Sequence, residues 1–135
     1  MTSSTTFPSE TNSCFKCIIS FYFKFKSDTK VLDLGTGGGL PGIPMAIIFP
    51  HVDFHLIDKV RKKITVVADI AKKLKLKNVK TDWINVNDLN RRYDFVISRS
   101  VASYDKIFKQ CENIFLSKNK NEFENGFILY KGGNI

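Results

Sequence analysis

From Thr29 onward, short apolar runs alternate with turn-forming residues. Runs at about 30–34, 53–57, 79–84, 94–98 and 126–130 are five or six residues long and predict five β-strands. Between them the apolar period lengthens. Helices are predicted at about 44–49, with Pro44 in its first turn, at about 60–75 and at about 104–116. In the second of these, Ile64, Val67, Ala71 and Leu74 form an apolar stripe, with most lysines off it and Asp69 placed to pair with Lys73. In the third, Ile107, Cys111, Ile114 and Phe115 are the core candidates, and the polar stretch 117–125 reads as a mobile loop. Strands that alternate with helices imply an α/β fold: a parallel sheet covered on both faces by right-handed crossovers, with its ligand at the carboxyl ends of the strands.

The first of these strands, Val31-Leu32-Asp33-Leu34, runs into Gly35-Thr36-Gly37-Gly38-Gly39-Leu40-Pro41-Gly42. Glycines at 35, 37, 39 and 42 free the turn to adopt positive φ and let a ligand approach the backbone. Residues 37–42 also satisfy the Gly-x-Gly-x-x-Gly fingerprint of dinucleotide folds, which leaves a nicotinamide dinucleotide as an alternative. Asp33 shifts the balance, because a carboxylate repels a pyrophosphate and attracts the ammonium of a methionine moiety, so S-adenosylmethionine fits better. A glycine-rich turn with no ligand is the plain structural reading. Asp58, at the end of the next strand, stands where such folds place a carboxylate on the ribose hydroxyls, or it caps the basic helix that follows. Asp33, Asp58, Asn87 and Arg99 all follow strand ends and are expected to converge on one crevice.

At 135 residues and 43% hydrophobic content the chain holds one compact core. The formal charge is +8, and between Lys59 and Lys80 nine Lys/Arg face the single acid Asp69. Such a stripe attracts phosphate. Lysine outnumbers arginine 17 to 4 in a chain also rich in Asn, Ile and Phe, a pattern AT-rich codons produce, so a solvated helix face is the competing reading. The longest apolar candidate, Cys14 to Phe25, is broken by Lys16 and Lys24, which argues against a membrane span. The Ser/Thr-rich start does not read as a secretory signal, so a cytoplasmic, reducing location is expected. Cys14 and Cys17 form a lone Cys-x-x-Cys with no second pair, His51 and His55 lie elsewhere, and Cys111 reads as core, so neither a metal site nor redox work is expected.

Three blocks occur in order: Asp33 to Pro44, His55-Leu56-Ile57-Asp58 followed by Lys62-Lys63, and Val96-Ile97-Ser98-Arg99-Ser100-Val101-Ala102. Over about Thr29 to Gly133 this combination resembles the bacterial small-subunit ribosomal RNA methyltransferase G family, also called glucose-inhibited division protein B. The resemblance implies a class I S-adenosylmethionine-dependent methyltransferase with a Rossmann-like, mostly parallel sheet. It implies methyl transfer to N7 of a guanine in 16S ribosomal RNA, with that RNA or the small ribosomal subunit as partner. Carried over by position, it puts donor contacts at Gly35 and Leu40, at Val86 and Asn87 mainly through their backbone, and at Arg99; with the loop reading the donor set becomes Asp33, Gly35, Gly37, Gly39, Leu40, Asp58, Val86, Asn87 and Arg99. The family usually has an acid where Asn87 stands. RNA contacts are expected at Arg61, Lys62, Lys63 and Lys131. No catalytic general base is expected, since N7 carries a free lone pair and alignment is the main requirement.

Against the family pattern, residues 1–28 read as a divergent or disordered segment, and 29–135 as an incomplete methyltransferase domain lacking the last two strands. The strand at 127–130 is then expected to be an open edge. A truncated, inactive remnant that binds donor or RNA, and a dinucleotide-dependent oxidoreductase domain, are the alternative functions.

Overall fold

The computed structural model describes residues 3–7, 24–99 and 104–130. In chain order they form β1 (Ser3–Phe7), β2 (Lys30–Leu34), α1 (Gly42–Ile48), β3 (Asp53–Asp58), α2 (Arg61–Lys73), β4 (Val79–Trp83), a 3-10 turn (Val86–Asp88), β5 (Phe95–Ser98), α3 (Tyr104–Gln110) and β6 (Gly126–Tyr130). The sheet order is β1-β6-β5-β2-β3-β4, and every adjacent pair is parallel. After β2 the chain builds outward through β3 and β4, then returns to the other side of β2 for β5 and β6. That reversal opens a crevice at the carboxyl ends of β2 and β5.

Strand alternation divides the core in two. Val31, Phe54, Leu56, Phe95, Ile97 and Ile128 face α1 and α2, where Met45, Ala46, Val67 and Ala71 meet them. Leu32, Ile57, Val96, Phe127 and Leu129 face the opposite layer, with Ile107, Cys111 and Ile114. Cys111 is fully buried, and burial pushes its thiol up to about 11, as suits a core residue. Asp69 and Lys73 pair at 2.9 Å along α2.

The structure departs from three expectations. Leu74 is 50% exposed because α2 ends at Lys73 and Lys75 turns the chain with φ +56°; Leu76 packs against the core instead. The third helix stops at Gln110, and Ile114 and Phe115 follow after a turn at 111–113, with Phe115 bridged to Tyr93. The edge at β6 is not open: Ser3–Phe7 pairs with Gly126–Tyr130 residue for residue. The sheet thus has six strands rather than five, and β1 satisfies the backbone groups an open edge would leave unpaired. Packing also begins before residue 29, since Phe25 is buried against Phe49 and Phe95. Cys14, Cys17, Ser100 to Ala102 and Lys131 lie outside the described residues.

Candidate functional site: the cleft at the carboxyl ends of the strands

Gly42 opens α1 with its backbone N–H donating to Asp33 Oδ2 at 2.9 Å. A β-carbon there would stand 2.6 Å from that oxygen and 2.8 Å from Leu56 Cγ, so only glycine allows the helix to start this close to the sheet. Gly39 combines φ +93° with a Cβ position 2.8 Å from Ile43 Cγ1. These two positions set the turn; the hydrogen bonds then fix it. Thr36 donates its hydroxyl to Asp33 Oδ2 at 2.8 Å and its backbone N–H to the Ile57 carbonyl at 2.9 Å. Gly37 donates its N–H to Asp58 Oδ2 at 2.9 Å.

The loop thus leans on two carboxylates that do different work. Asp33 is fully buried beneath it, and burial pushes its carboxyl up to about 7 against the lowering influence of Thr36, Gly42 and Arg99. Its Oδ1 has no hydrogen-bond partner among the described residues. Asp58 reaches the cleft surface while Oδ2 holds Gly37 and Oδ1 accepts the Val60 N–H at 2.9 Å. Val60, not Asp58, is the residue preceding α2. Tying the loop to the entry of α2 still leaves acceptor capacity on both oxygens.

The resulting cleft holds about 550 Å³, within the range of small-molecule sites. Leu34, Gly35 and Gly37 form one wall; Ile57, Asp58, Lys59 and Lys63 form the second. Ile84, Asn85 and Val86 form a third, and Arg99, Lys106, Ile107 and Gln110 complete it. Gly35 has φ +71° and, among the described residues, nothing within 4 Å of where its β-carbon would be, so the loop backbone lies open to the cavity. The Arg99 guanidinium stands 3.5 Å from the corresponding point on Gly37.

Of the donor residues expected from sequence, Gly35, Gly37, Asp58, Val86 and Arg99 meet at this cleft. The other four lie elsewhere. Asp33 sits under the loop, its accepting oxygen engaged by the backbone it supports. Gly39 faces Ile43 and Val67. Leu40 is 45% exposed on the outer side of the turn. Asn87 points to solvent, its backbone N–H donating to the side chain of Asn85 at 3.0 Å, so Asn85 rather than Asn87 lines the cavity with Val86. Of the basic residues, Lys63 lines the cleft, while Arg61 and Lys62 are exposed on the first turn of α2. Sequence reading missed Lys106, Ile107 and Gln110, whose only signal was that a helix follows β5.

It also missed a half-buried cluster. His55 bonds the Tyr93 hydroxyl through Nδ1 and the Asp82 carboxylate through Nε2 at 2.6 Å, an arrangement that suits a neutral imidazole donating to Asp82 and accepting from Tyr93. Burial lowers the imidazole below its usual range despite Asp82, and raises the Tyr93 phenol to about 12.

A family model described as rRNA small subunit methyltransferase G matches residues 11–134. The chain belongs to this family. Among curated relatives, it is 44% identical over 112 residues to the ribosomal RNA small subunit methyltransferase G of Flavobacterium psychrophilum, covering 83% of this chain and 54% of the relative. It is 41% identical over 111 residues to that of Cytophaga hutchinsonii, covering 82% and 54%. The chain spans about half the length of the curated relatives it matches. Solved structures agree on the fold. A SAM-dependent methyltransferase from Aquifex aeolicus superposes with a TM-score of 0.61 at 19% identity, over 80% of this chain and 62% of that one. The precorrin-6y C5,15-methyltransferase of Geobacter metallireducens gives 0.64 at 16% identity, over 84% and 60%. The architecture is the class I methyltransferase fold. The family match begins 18 residues before Thr29, where the recognisable motifs start.

Proposed function

We propose that this chain binds S-adenosylmethionine in the carboxyl-end cleft and transfers its methyl group to N7 of a guanine in 16S ribosomal RNA. The observation that carries this reading is the Gly35–Gly37 backbone, held open to the cavity by Asp58 at the switch point of a methyltransferase sheet. The residues present fit the donor. Asp58 keeps free lone pairs for ribose hydroxyls, and Ile84 and Val86 offer an apolar surface for an adenine. Arg99 supplies a planar fork for a carboxylate or phosphate. Asp33, beneath the loop, adds negative potential under a cationic ligand once its carboxyl, pushed up to about 7, has ionised.

When bound, the donor supplies a methyl group on a positively charged sulfur. The protein's part is to position and to exclude water. Guanine N7 carries a free lone pair and needs no proton removed, so alignment is the main requirement. Lys59, Lys63 and Lys106 give the cavity the charge to draw an RNA phosphate toward it. Among the described residues no helix is long and apolar enough to cross a membrane. We place the protein in the cytoplasm, with the small subunit or its RNA as partner.

Incubating the purified chain with labelled donor and unmethylated small subunits, followed by nucleoside analysis, is expected to yield N7-methylguanosine. Calorimetric binding of S-adenosylhomocysteine without any transfer would leave a donor-binding protein only. Absence of both would end the proposal.

A further inference from the structure

Trp83 is the most exposed large apolar side chain among the described residues, at 58%. It closes β4, the edge strand, and belongs to neither core cluster. Yet it is held in place. Its indole N–H donates to the Lys59 carbonyl at 2.9 Å, and the Arg61 guanidinium carbon lies 5.4 Å from the ring centroid. A ring fixed at its N–H edge, capped on one side and still this exposed presents its other face to solvent.

Its surroundings explain what that face could receive. Ile84 and Asn85, which follow it directly, line the carboxyl-end cleft, as do Lys59 and Lys63. Arg61, Lys62 and Lys63 fill the first turn of α2, where no acid is present. Cations at a helix N-terminus oppose the helix dipole. Neither they nor Lys59 form an ion pair with any described residue. Unpaired charge in an unfavourable place, beside a pinned open aromatic, matches the way single-stranded RNA is held: phosphates on cations and a base stacked on a ring.

We infer that Trp83 is a stacking platform for an RNA base flanking the nucleotide that enters the cleft, with Lys59, Arg61 and Lys62 holding the adjoining phosphates. This rests on the RNA substrate proposed above and adds a positioning residue to it. A folded protein partner would instead cover the same ring without needing a base.

Trp83 is the chain's sole tryptophan, so its fluorescence reports on this ring alone. Titration of the full chain with a short single-stranded RNA is expected to quench that emission, and added salt to restore it. Inorganic polyphosphate of matched charge is expected to bind without comparable quenching. Trp83→Ala is expected to weaken RNA binding roughly tenfold, Trp83→Phe much less, since stacking of a base on an aromatic has about this worth. Binding of S-adenosylhomocysteine by Trp83→Ala is expected to stay within twofold of the native chain. RNA binding that leaves the emission unchanged, equal quenching by polyphosphate, unaltered affinity in Trp83→Ala or no RNA binding at all would each overturn the inference. Failure of the native chain to bind S-adenosylhomocysteine would strike the donor assignment separately.

Discussion

Two clefts of nearly equal size, about 550 and 520 Å³, open at opposite ends of the same sheet. The carboxyl-end cleft is walled by a glycine turn, an anchored carboxylate and apolar residues, with Lys59, Lys63, Arg99 and Lys106 around them. The amino-end cleft is ringed by Lys30, Lys77, Lys80, Arg91 and Arg92 around Phe54, His55 and Tyr93. Volume does not separate them; the source of their polar atoms does. At the carboxyl end, fixed backbone and side-chain groups project from strand ends and are aimed by hydrogen bonds. Long cationic side chains line both clefts, but the amino end has no glycine turn, and the His55–Tyr93–Asp82 hydrogen bonds there are already made within the protein. Parallel strands explain the asymmetry, because the chain leaves each strand at one end and builds its functional turns there.

The contrast can be broken at the turn. Asp33 offers the largest effect. Its folded-state pKa of about 7 lies above the unfolded value of 3.8, so as pH rises through that window the unfolded chain gives up its proton first and stability falls. The Asp33→Asn variant keeps an acceptor for Gly42 and Thr36 and lacks this titration. Its stability relative to the native chain is expected to rise by roughly 1.4 kcal/mol for each pH unit crossed between about 4 and 7, read from urea midpoints. His55, whose lowered pKa favours the neutral form, acts in the opposite direction in both chains and cancels in the difference. A flat difference would show that Asp33 is ionised in the folded chain.

Next in size is Gly42→Ala, expected to cost about 2–3 kcal/mol because the new methyl meets Asp33 and Leu56. Gly38→Ala, whose β-carbon meets nothing within 4 Å among the described residues, is expected to change stability by less than about 0.5 kcal/mol. Similar urea midpoints for the two would refute the close-packed turn. Asp58→Ala is expected to weaken S-adenosylhomocysteine binding by roughly 1.5–3 kcal/mol, as two charge-assisted hydrogen bonds are lost; unchanged calorimetric affinity would remove Asp58 from the site. Smallest is Arg91→Ala with Arg92→Ala at the amino end, where the same titration is expected to differ by less than about twofold. A large loss there would erase the distinction between the clefts.

The five strands from Lys30 to Tyr130 were legible because each is a short run bounded by turn residues, mostly buried except in the edge strand β4. The glycine turn was legible because its backbone needs show as residue types. Leu74 was misplaced because helical spacing does not say where a helix stops, and Lys75 ends this one with a left-handed residue that is not glycine. β1 was hidden because Ser3 to Phe7 has no apolar alternation, and its partner is more than a hundred residues away. Asn87 gave way to Asn85 because a 3-10 turn rotates neighbouring side chains to different sides.

Local chemistry therefore determined the α/β class, the order of elements and the cradle, since strand length, turn residues and glycine placement act over a few positions. Only the folded sheet decided which carboxylate supports the loop and which reaches the cavity. The same holds for Trp83 standing beside the cations of α2 and for the pairing of His55 with Tyr93 and Asp82. These depend on which strand lies next to which and which face each residue takes, and that is set by packing across the whole chain.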